Sequence, residues 1–323
     1  MTPAPSKSST SYRLAVTGSA GWALAVADRG IADCTTIRAV TVMTLADGRQ
    51  LAYQVMGDPG RFPVLVLHGT PGSSRQMAAL GQPAREHGLT LIAPDRAGYG
   101  GSTHDPARTI ASGARDLGEL IEHAELNGCA VVGLSGGGPT ALACGVLLAD
   151  RVAAVATVGG VAPLVPRDPA LPPDRLVTRI AGRSEAGARA LFTAVVRAAR
   201  ASPEKALSRF GSVLAEPDAR LLRDNPAVRA AFIDDLSHPA ATTARAAARD
   251  FWLFARRWDV DIAGMAVPAH VWHGTEDRNV PVAHARVIAA RCPRAQLHIV
   301  DGGGHMLLSH IGQIIESVTP PSE

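Results

Sequence analysis

The sequence predicts an α/β architecture: a mostly parallel sheet flanked by helices, with a helical insertion late in the chain. Three observations predict it. Short continuous apolar runs, among them residues 64–67, 129–132 and 152–158, alternate with longer segments at helical spacing, the pattern of covered strands joined by helices. One of these runs ends in Gly133-Leu134-Ser135-Gly136-Gly137, a strand-to-helix turn. From Ala162 the pattern breaks. Pro163, Pro166, Pro169, Pro172 and Pro173 crowd together, and an Ala-, Arg- and Leu-rich stretch runs to about residue 245 before strand signals return.

In chain order, residues 40–45 and 51–56 are apolar or alternating around Asp47-Gly48, a hairpin signal, so the sheet opens with an antiparallel pair. Gly57-Asp58-Pro59-Gly60 leads into the run at 64–67, residues 73–87 read as a helix, and 90–93 as the next strand. Residues 109–126 carry Ile110, Leu117, Leu120 and Ile121 at helical spacing with acids between them. The strand at 129–132, the turn and a helix at 140–149 follow. Pro139 suits the first helical turn, where a missing N–H costs little. A bend sharp enough to expose a serine hydroxyl brings the flanking backbone so close that Gly133 and Gly137 have no room for a Cβ.

Residues 152–158 form a further strand, which ends in Gly159-Gly160-Val161 without an acid. Within the insertion, 191–199 and 227–235 read as short helices, and Phe192, Phe210 and Phe232 are expected to pack them onto the core. Helix resumes at Phe251-Trp252-Leu253-Phe254. Strands at 268–272 and 297–300 bracket a helix at 282–290, and a terminal helix follows Asp301-Gly302-Gly303-Gly304-His305.

Composition narrows the function classes. At 323 residues and 46% hydrophobic content, the chain can bury a large core. Its net charge is +3, Lys7 and Lys205 are the only lysines, and the arginines are scattered among alanines and acids, so no nucleic-acid surface is expected. Aromatic residues at 4% leave few platforms for base stacking. Cys34, Cys129, Cys144 and Cys292 show neither C-x-x-C nor metal spacing, and Cys129 and Cys144 read as small buried hydrophobes. No run of about eighteen apolar residues exists, so no membrane span is expected. Lys7 and Arg13 precede a mildly apolar stretch at 14–27 that ends in Ala25-Val26-Ala27, superficially like a signal peptide. Thr17, Gly18, Ser19, Gly21 and Trp22 interrupt it. Residues 1–39 are therefore expected to be a disordered extension, with a translation start at Met43 as the other reading, and the protein to be cytoplasmic.

A serine hydroxyl becomes a competent nucleophile when a base takes its proton, and histidine is the side chain suited to that at neutral pH. An acid and then a histidine downstream of Ser135 is the chain order that a nucleophile elbow demands. His305 is the candidate base, because its loop follows a strand and three glycines let the backbone bend back. Its rivals are His298 inside a strand, His310 in a helix, His284 and His68.

Five segments together, His68-Gly69-Thr70-Pro71-Gly72, Pro94-Asp95-Arg96-Ala97-Gly98-Tyr99-Gly100-Gly101-Ser102, the Ser135 turn, His273-Gly274-Thr275-Glu276-Asp277 and Gly302-Gly303-Gly304-His305, resemble the α/β-hydrolase superfamily from about Val40 to Ser317. The resemblance implies a core of residues 40–161 and 246–323 with a helical cap at 162–245. It implies Asp277 as the acid of a Ser135–Asp277–His305 triad, with Glu276 as runner-up and Asp301 too near His305 in sequence. It also implies backbone N–H groups of Thr70 and Gly136 as the oxyanion hole, Pro71 having none to give. It gives Asp95 and Arg96 a structural loop without a catalytic role. Serine at the turn sets the chain apart from haloalkane dehalogenases and epoxide hydrolases, which carry aspartate there.

The expected activity is hydrolysis of a small-molecule carboxylic ester, thioester or lactone through an acyl-serine, with no metal or organic cofactor, and with a small acyl substrate as partner. The alternatives are a proline-iminopeptidase-like aminopeptidase, from which Gly136 departs by lacking a bulky side chain, a cofactor-free perhydrolase or haloperoxidase, and a ligand receptor with vestigial hydrolysis. No signal for an oligomeric state is present.

Overall fold

A computed structural model describes residues 40–58, 61–163, 180 and 182–319. The expectations for 1–39, including the signal-like stretch, Met1 to Cys34 among them, and for Pro166, Pro169, Pro172 and Pro173, lie outside the described residues.

The opening hairpin forms as its turn residues require. Strands β1 (Thr41–Thr44) and β2 (Gln50–Gly57) pair antiparallel, and Gly48 takes φ +85°, a conformation open to glycine at little cost. The apolar runs become β3 (Pro63–Leu67), β4 (Thr90–Pro94), β5 (Cys129–Leu134), β6 (Val152–Val158), β7 (Ala269–Gly274) and β8 (Ala295–Val300). They form one eight-stranded sheet in the order β1-β2-β4-β3-β5-β6-β7-β8, antiparallel at β1/β2 and β2/β4 and parallel from β4 to β8.

The runs are continuous rather than alternating because both faces of the sheet are covered. Leu65, Leu67, Val131, Val155 and Val271 bury on one face with apolar side chains of α2 (Ile110–His123) and α3 (Gly138–Leu147). Val64, Val66, Ala130, Val132, Ala156 and Val158 bury on the other with Ala84 of α1 (Gly81–Glu86) and with Ile314, Ile315 and Val318 of α10 (Ile311–Val318). Thr109 starts α2 with a reciprocal capping box to Ser112, and Pro139 sits in the first turn of α3 as expected.

Among the described residues between β6 and β7 the chain forms α4 (Glu185–Ala201), α5 (Pro203–Val213), α6 (Glu216–Asp224), α7 (Pro226–Ser237) and α8 (Ala244–Phe254). The helix α9 (Ala283–Arg291) then bridges β7 and β8. Two local readings are corrected. Residues 74–80 wind as a 3-10 helix before α1, because the Ser73 hydroxyl takes the Arg75 N–H and the Asp95 carboxylate takes the Ser74 N–H at 2.7 Å. Phe210 is 38% exposed and stacks on Phe232 at 6.3 Å, outside the core predicted for it, whereas Phe192 is buried against Phe251 at 5.3 Å.

One buried acid fastens α7 to that 3-10 helix. Asp235 accepts hydrogen bonds from the Ser73 hydroxyl and from Gln76 Nε2, the latter at 2.9 Å, and burial pushes its carboxyl up to about 6. Between the ordinary 3.8 and this value, the folded chain keeps a proton that the unfolded chain has released, so this group's contribution to stability is full below the window and lost above it. Asp235→Asn removes that dependence. In urea titrations the stability of wild type relative to the variant is expected to be lower at neutral pH than near pH 4, by roughly 3 kcal/mol at most.

Parallel pairing aligns the strand ends. Leu67 faces Gly133, Leu134 faces Val158, Val158 faces Trp272 and Gly274 faces Val300. The loops that leave β3, β5, β6, β7 and β8 therefore share one rim, where a parallel α/β sheet places its ligands.

Candidate active site

Ser135 leaves the end of β5 with φ +49° and opens the short turn Ser135–Gly137 ahead of α3. A left-handed backbone on a residue with a Cβ costs roughly 1–2 kcal/mol, and such strain is held only where the surroundings fix it. The fixing contacts are visible. A Cβ on Gly133 would lie 2.6 Å from Gly137 O, and one on Gly137 would lie 2.7 Å from Leu67 O, so the turn closes only with glycine at both places. The bend carries the serine out of the sheet at the shared rim.

Asp277 lies in the loop after β7, its side chain 0% exposed. Its Oδ1 accepts the Asn279 N–H at 2.7 Å and the Val280 N–H at 2.9 Å, and its Oδ2 accepts His305 Nδ1–H at 2.7 Å. His273 Nε2 lies 3.2 Å from the same Oδ2, but its shorter hydrogen bond, 2.8 Å, goes to Val280 O. Burial opposes ionisation of Asp277, yet the donors His273, His305 and Val280 hold its carboxyl below the usual carboxylate range. The buried anion fixes His305 with its proton on Nδ1, which leaves Nε2 to act as a base.

The structure thus joins Asp277 and His305 directly. Among the described residues, Ser135 and His305 share no hydrogen bond, but register and packing make them neighbours. Gly159 follows Val158 as Ser135 follows Leu134, one strand apart, and a Cβ on Gly159 would lie 2.7 Å from His305 Nδ1. The imidazole therefore rests on the backbone next to the serine turn. Catalytic hydrogen bonds of this kind are often long until substrate binds. Gly159 also has φ +56°. Gly159→Ala is expected to push the ring aside by about 1 Å, a displacement large enough to matter for any chemistry at the ring, read as a shift or broadening of the His305 Nδ1–H proton resonance.

The predicted oxyanion residues meet across the rim. A Cβ on Gly136 would overlap Thr70 Oγ1 and lie 2.8 Å from Thr70 Cβ, and one on Gly69 would lie 3.4 Å from Ser135 Cβ. The N–H of Gly136 belongs to the turn that starts α3, where backbone donors lack intrahelical acceptors. Thr70 precedes Pro71 through a cis peptide bond.

Beneath this loop lies a buried network. Asp250 of α8 accepts from the Thr70 hydroxyl, from Tyr99 Oη at 2.8 Å, from Arg96 Nη1 at 2.8 Å and from Arg108 Nη2 at 2.5 Å. Arg96 Nη2 also donates to Gly69 O at 2.9 Å and to Thr70 Oγ1 at 2.8 Å. Burial alone would push the Asp250 carboxyl up, but Arg108 and Arg96 hold it below the ordinary range. Arg96 and Asp250 therefore hold residues 69 and 70 in place. Asp250 was missed because no motif contains it. The available signal was a carboxylate at helical spacing from Ala246, Ala247, Leu253 and Phe254, within the apolar stripe of its own helix.

The rival residues are engaged elsewhere. His68 is fully buried, its Nδ1–H donating to Gly69 O at 2.8 Å and its Nε2 accepting the Arg96 N–H at 3.1 Å; burial and the nearby Arg96 charge hold it neutral. His284 Nδ1 accepts the Ala162 N–H at 3.0 Å, and His298 stacks on Trp272 at 4.1 Å. Glu276 is exposed, and Asp301 is exposed and accepts from Thr275. Asp95 spends its carboxylate on the N–H groups of Ser74 and Gly101. Burial raises the thiols of Cys129 and Cys144, which keeps them protonated and unreactive. Among the described residues no helix is long and apolar enough to cross a membrane, and no three His, Cys, Asp or Glu side chains are grouped to hold a metal ion.

Comparison with known proteins places this geometry in context. A family model described as alpha/beta hydrolase fold matches residues 63–309. A Bacillus subtilis protein named as an uncharacterized hydrolase, YcgS, is 25% identical over 277 residues, which are 81% of this chain and 90% of that one. A pimeloyl-[acyl-carrier protein] methyl ester esterase of Xanthomonas campestris is 34% identical over 116 residues, 35% of this chain and 42% of that protein. The solved structure of a thermophilic esterase from Thermogutta terrifontis superposes with a TM-score of 0.61 at 23% identity, covering 87% of this chain and 100% of that one, a likeness of fold.

Proposed function

Because the chain belongs to the alpha/beta hydrolase fold family, we propose that it is a serine hydrolase acting on a small carboxylic ester. The observation that carries the reading is the arrangement at the rim: a serine on a positive-φ turn beside an imidazole whose Nδ1–H is held at 2.7 Å by a fully buried carboxylate. A serine nucleophile served by an imidazole base makes use of both the strained serine and the buried ion–imidazole pair. Similarity to two esterases is consistent with it.

In the proposed reaction, Ser135 Oγ attacks the ester carbonyl while His305 Nε2 takes its proton. Asp277 stabilises the imidazolium, and the N–H groups of Thr70 and Gly136 receive the oxyanion. The tetrahedral adduct collapses by breaking the bond to the alkoxy oxygen, which leaves with the proton from His305. Water, deprotonated by His305, then attacks the acyl-serine and frees the acid and the serine hydroxyl. The helices α4 to α7 act as the cap over the site, a role supported by the packing of α7 on the 3-10 helix that leads away from the oxyanion loop.

Steady-state assay of p-nitrophenyl esters of increasing acyl length, beside a proline p-nitroanilide, tests the reading. Saturable ester turnover is expected. Turnover of the proline amide with none of the esters would replace it with an aminopeptidase.

A further inference from the structure

We infer that Asp218, on α6 of the helical segment between β6 and β7, is a positioning residue for the base, holding the His305 loop in the conformation that presents the imidazole to Ser135. The inference rests on the reading of His305 as that base.

Asp218 is 2% exposed, although it sits in the first turn of a helix whose neighbouring charges Glu216, Arg220 and Arg223 are exposed. Its carboxylate is spent on the loop. Oδ2 accepts the His305 N–H at 2.5 Å and Oδ1 accepts the Met306 N–H at 2.9 Å. Hydrogen bonds from two successive amides to one carboxylate fix the two peptide planes on either side of the His305 Cα, and charged acceptors make them the stronger kind. Gly304 is glycine for the same reason, since a Cβ there would overlap the Asp218 carboxylate.

A second contact holds the loop from the same side. The Met306 side chain is 8% exposed and packs in one cluster with Leu207, Leu222 and Val228 of α5, α6 and α7. Leu307 follows with φ +48° and turns back into the core beside Leu80 and Ile314. Three consecutive residues thus point three ways: His305 to Asp277, Met306 among the helices, and Leu307 to the sheet. The direction of the imidazole is set by the backbone on either side of the His305 Cα, and Asp218 holds that backbone. The geometry of the base therefore depends on docking of α6, not on the core alone.

The test compares wild type, Asp218→Asn, Gly304→Ala and, as a control for losing a buried acid from the same segment, Asp235→Asn. One readout needs no substrate: the low-field proton resonance of His305 Nδ1–H, assigned by its absence in Asp277→Asn. The other is kcat against KM for a p-nitrophenyl ester. Expected are loss or exchange broadening of the resonance in Asp218→Asn and Gly304→Ala, with kcat lower by about 10- to 100-fold and KM little changed, as for a displaced catalytic group. Asp235→Asn is expected to keep the resonance. A sharp resonance and wild-type kcat in folded Asp218→Asn would overturn the inference. Failure of wild-type Ser135 to react with a fluorophosphonate would instead sink the hydrolase reading, and the resonance would still decide whether Asp218 orients the ring.

Discussion

Replacing Ser135 with alanine is expected to lower kcat/KM for short acyl p-nitrophenyl esters by at least about 10⁴-fold, because loss of the nucleophile removes the covalent path and leaves only donors and binding to act on water. The fold should survive. Alanine keeps the Cβ that φ +49° already tolerates, and the clashes that shape the turn involve Gly133 and Gly137. Circular dichroism and a thermal melt should match wild type within a few degrees, about the shift that less than 1 kcal/mol produces in a chain of this size. Residual esterase activity close to wild type in a correctly folded Ser135→Ala protein would mean that the turn is only an architectural bend.

The second large effect is expected from Asp277→Asn. An asparagine of the same shape can present its amide NH₂ to His305 Nδ1, which drives the imidazole proton to Nε2, the atom that must accept from serine. A tautomer change of this kind costs about 10⁴-fold in a Ser-His-Asp enzyme. It should act on kcat far more than on KM, since the carboxylate is 0% exposed and out of reach of substrate. The loop should keep its anchor, because the asparagine Oδ1 still accepts the Asn279 and Val280 N–H groups, and only the charge assistance of those two bonds is lost. The pH dependence has a definite sign. The folded carboxyl lies below the ordinary 3.8, so its contribution is complete above that value and is lost as the medium is acidified through and beyond it. Followed by fluorescence-detected urea unfolding, the stability of wild type relative to Asp277→Asn should therefore be largest at neutral pH and shrink as the pH falls below 3.8, and Asp277→Asn should flatten the acid limb of the stability curve.

Much of the sheet was legible because a doubly covered strand must be largely apolar, and β3, β5 and β6 are, with Thr157 the polar residue in β6. The turn at Ser135 was legible for a steric reason, since glycines at 133 and 137 have no other use in a strand followed by a helix. The hydrogen bond between Asp277 and His305 joins two loops that the sequence marks out, each short, glycine-bearing and placed after a strand. What escaped were residues whose role is created by tertiary contact. Asp218, Asp235 and Asp250 lie on helices, belong to no motif, and become meaningful only when α6, α7 and α8 dock and bring their carboxylates to His305, Ser73 and Thr70. Each stands where a helix carries apolar neighbours, as Asp218 does beside Leu221 and Leu222, and a buried acid in such a place signals a partner without naming it. Phe210 was misjudged for the converse reason. Burial of an aromatic on an alanine-rich helix depends on how far another element covers that face, and here Phe210 stacks on Phe232 and stays 38% exposed.

The central claim is that Ser135 is a nucleophile activated by His305. Its most direct test is intact-protein mass spectrometry after brief exposure to a fluorophosphonate, with peptide mapping of the adduct, for wild type, Ser135→Ala and His305→Ala. One adduct per chain on Ser135 in wild type, absent in Ser135→Ala and slowed at least about 10³-fold in His305→Ala, is the predicted result. Labelling of another residue in wild type, or labelling of Ser135 at an unchanged rate without His305, would contradict it.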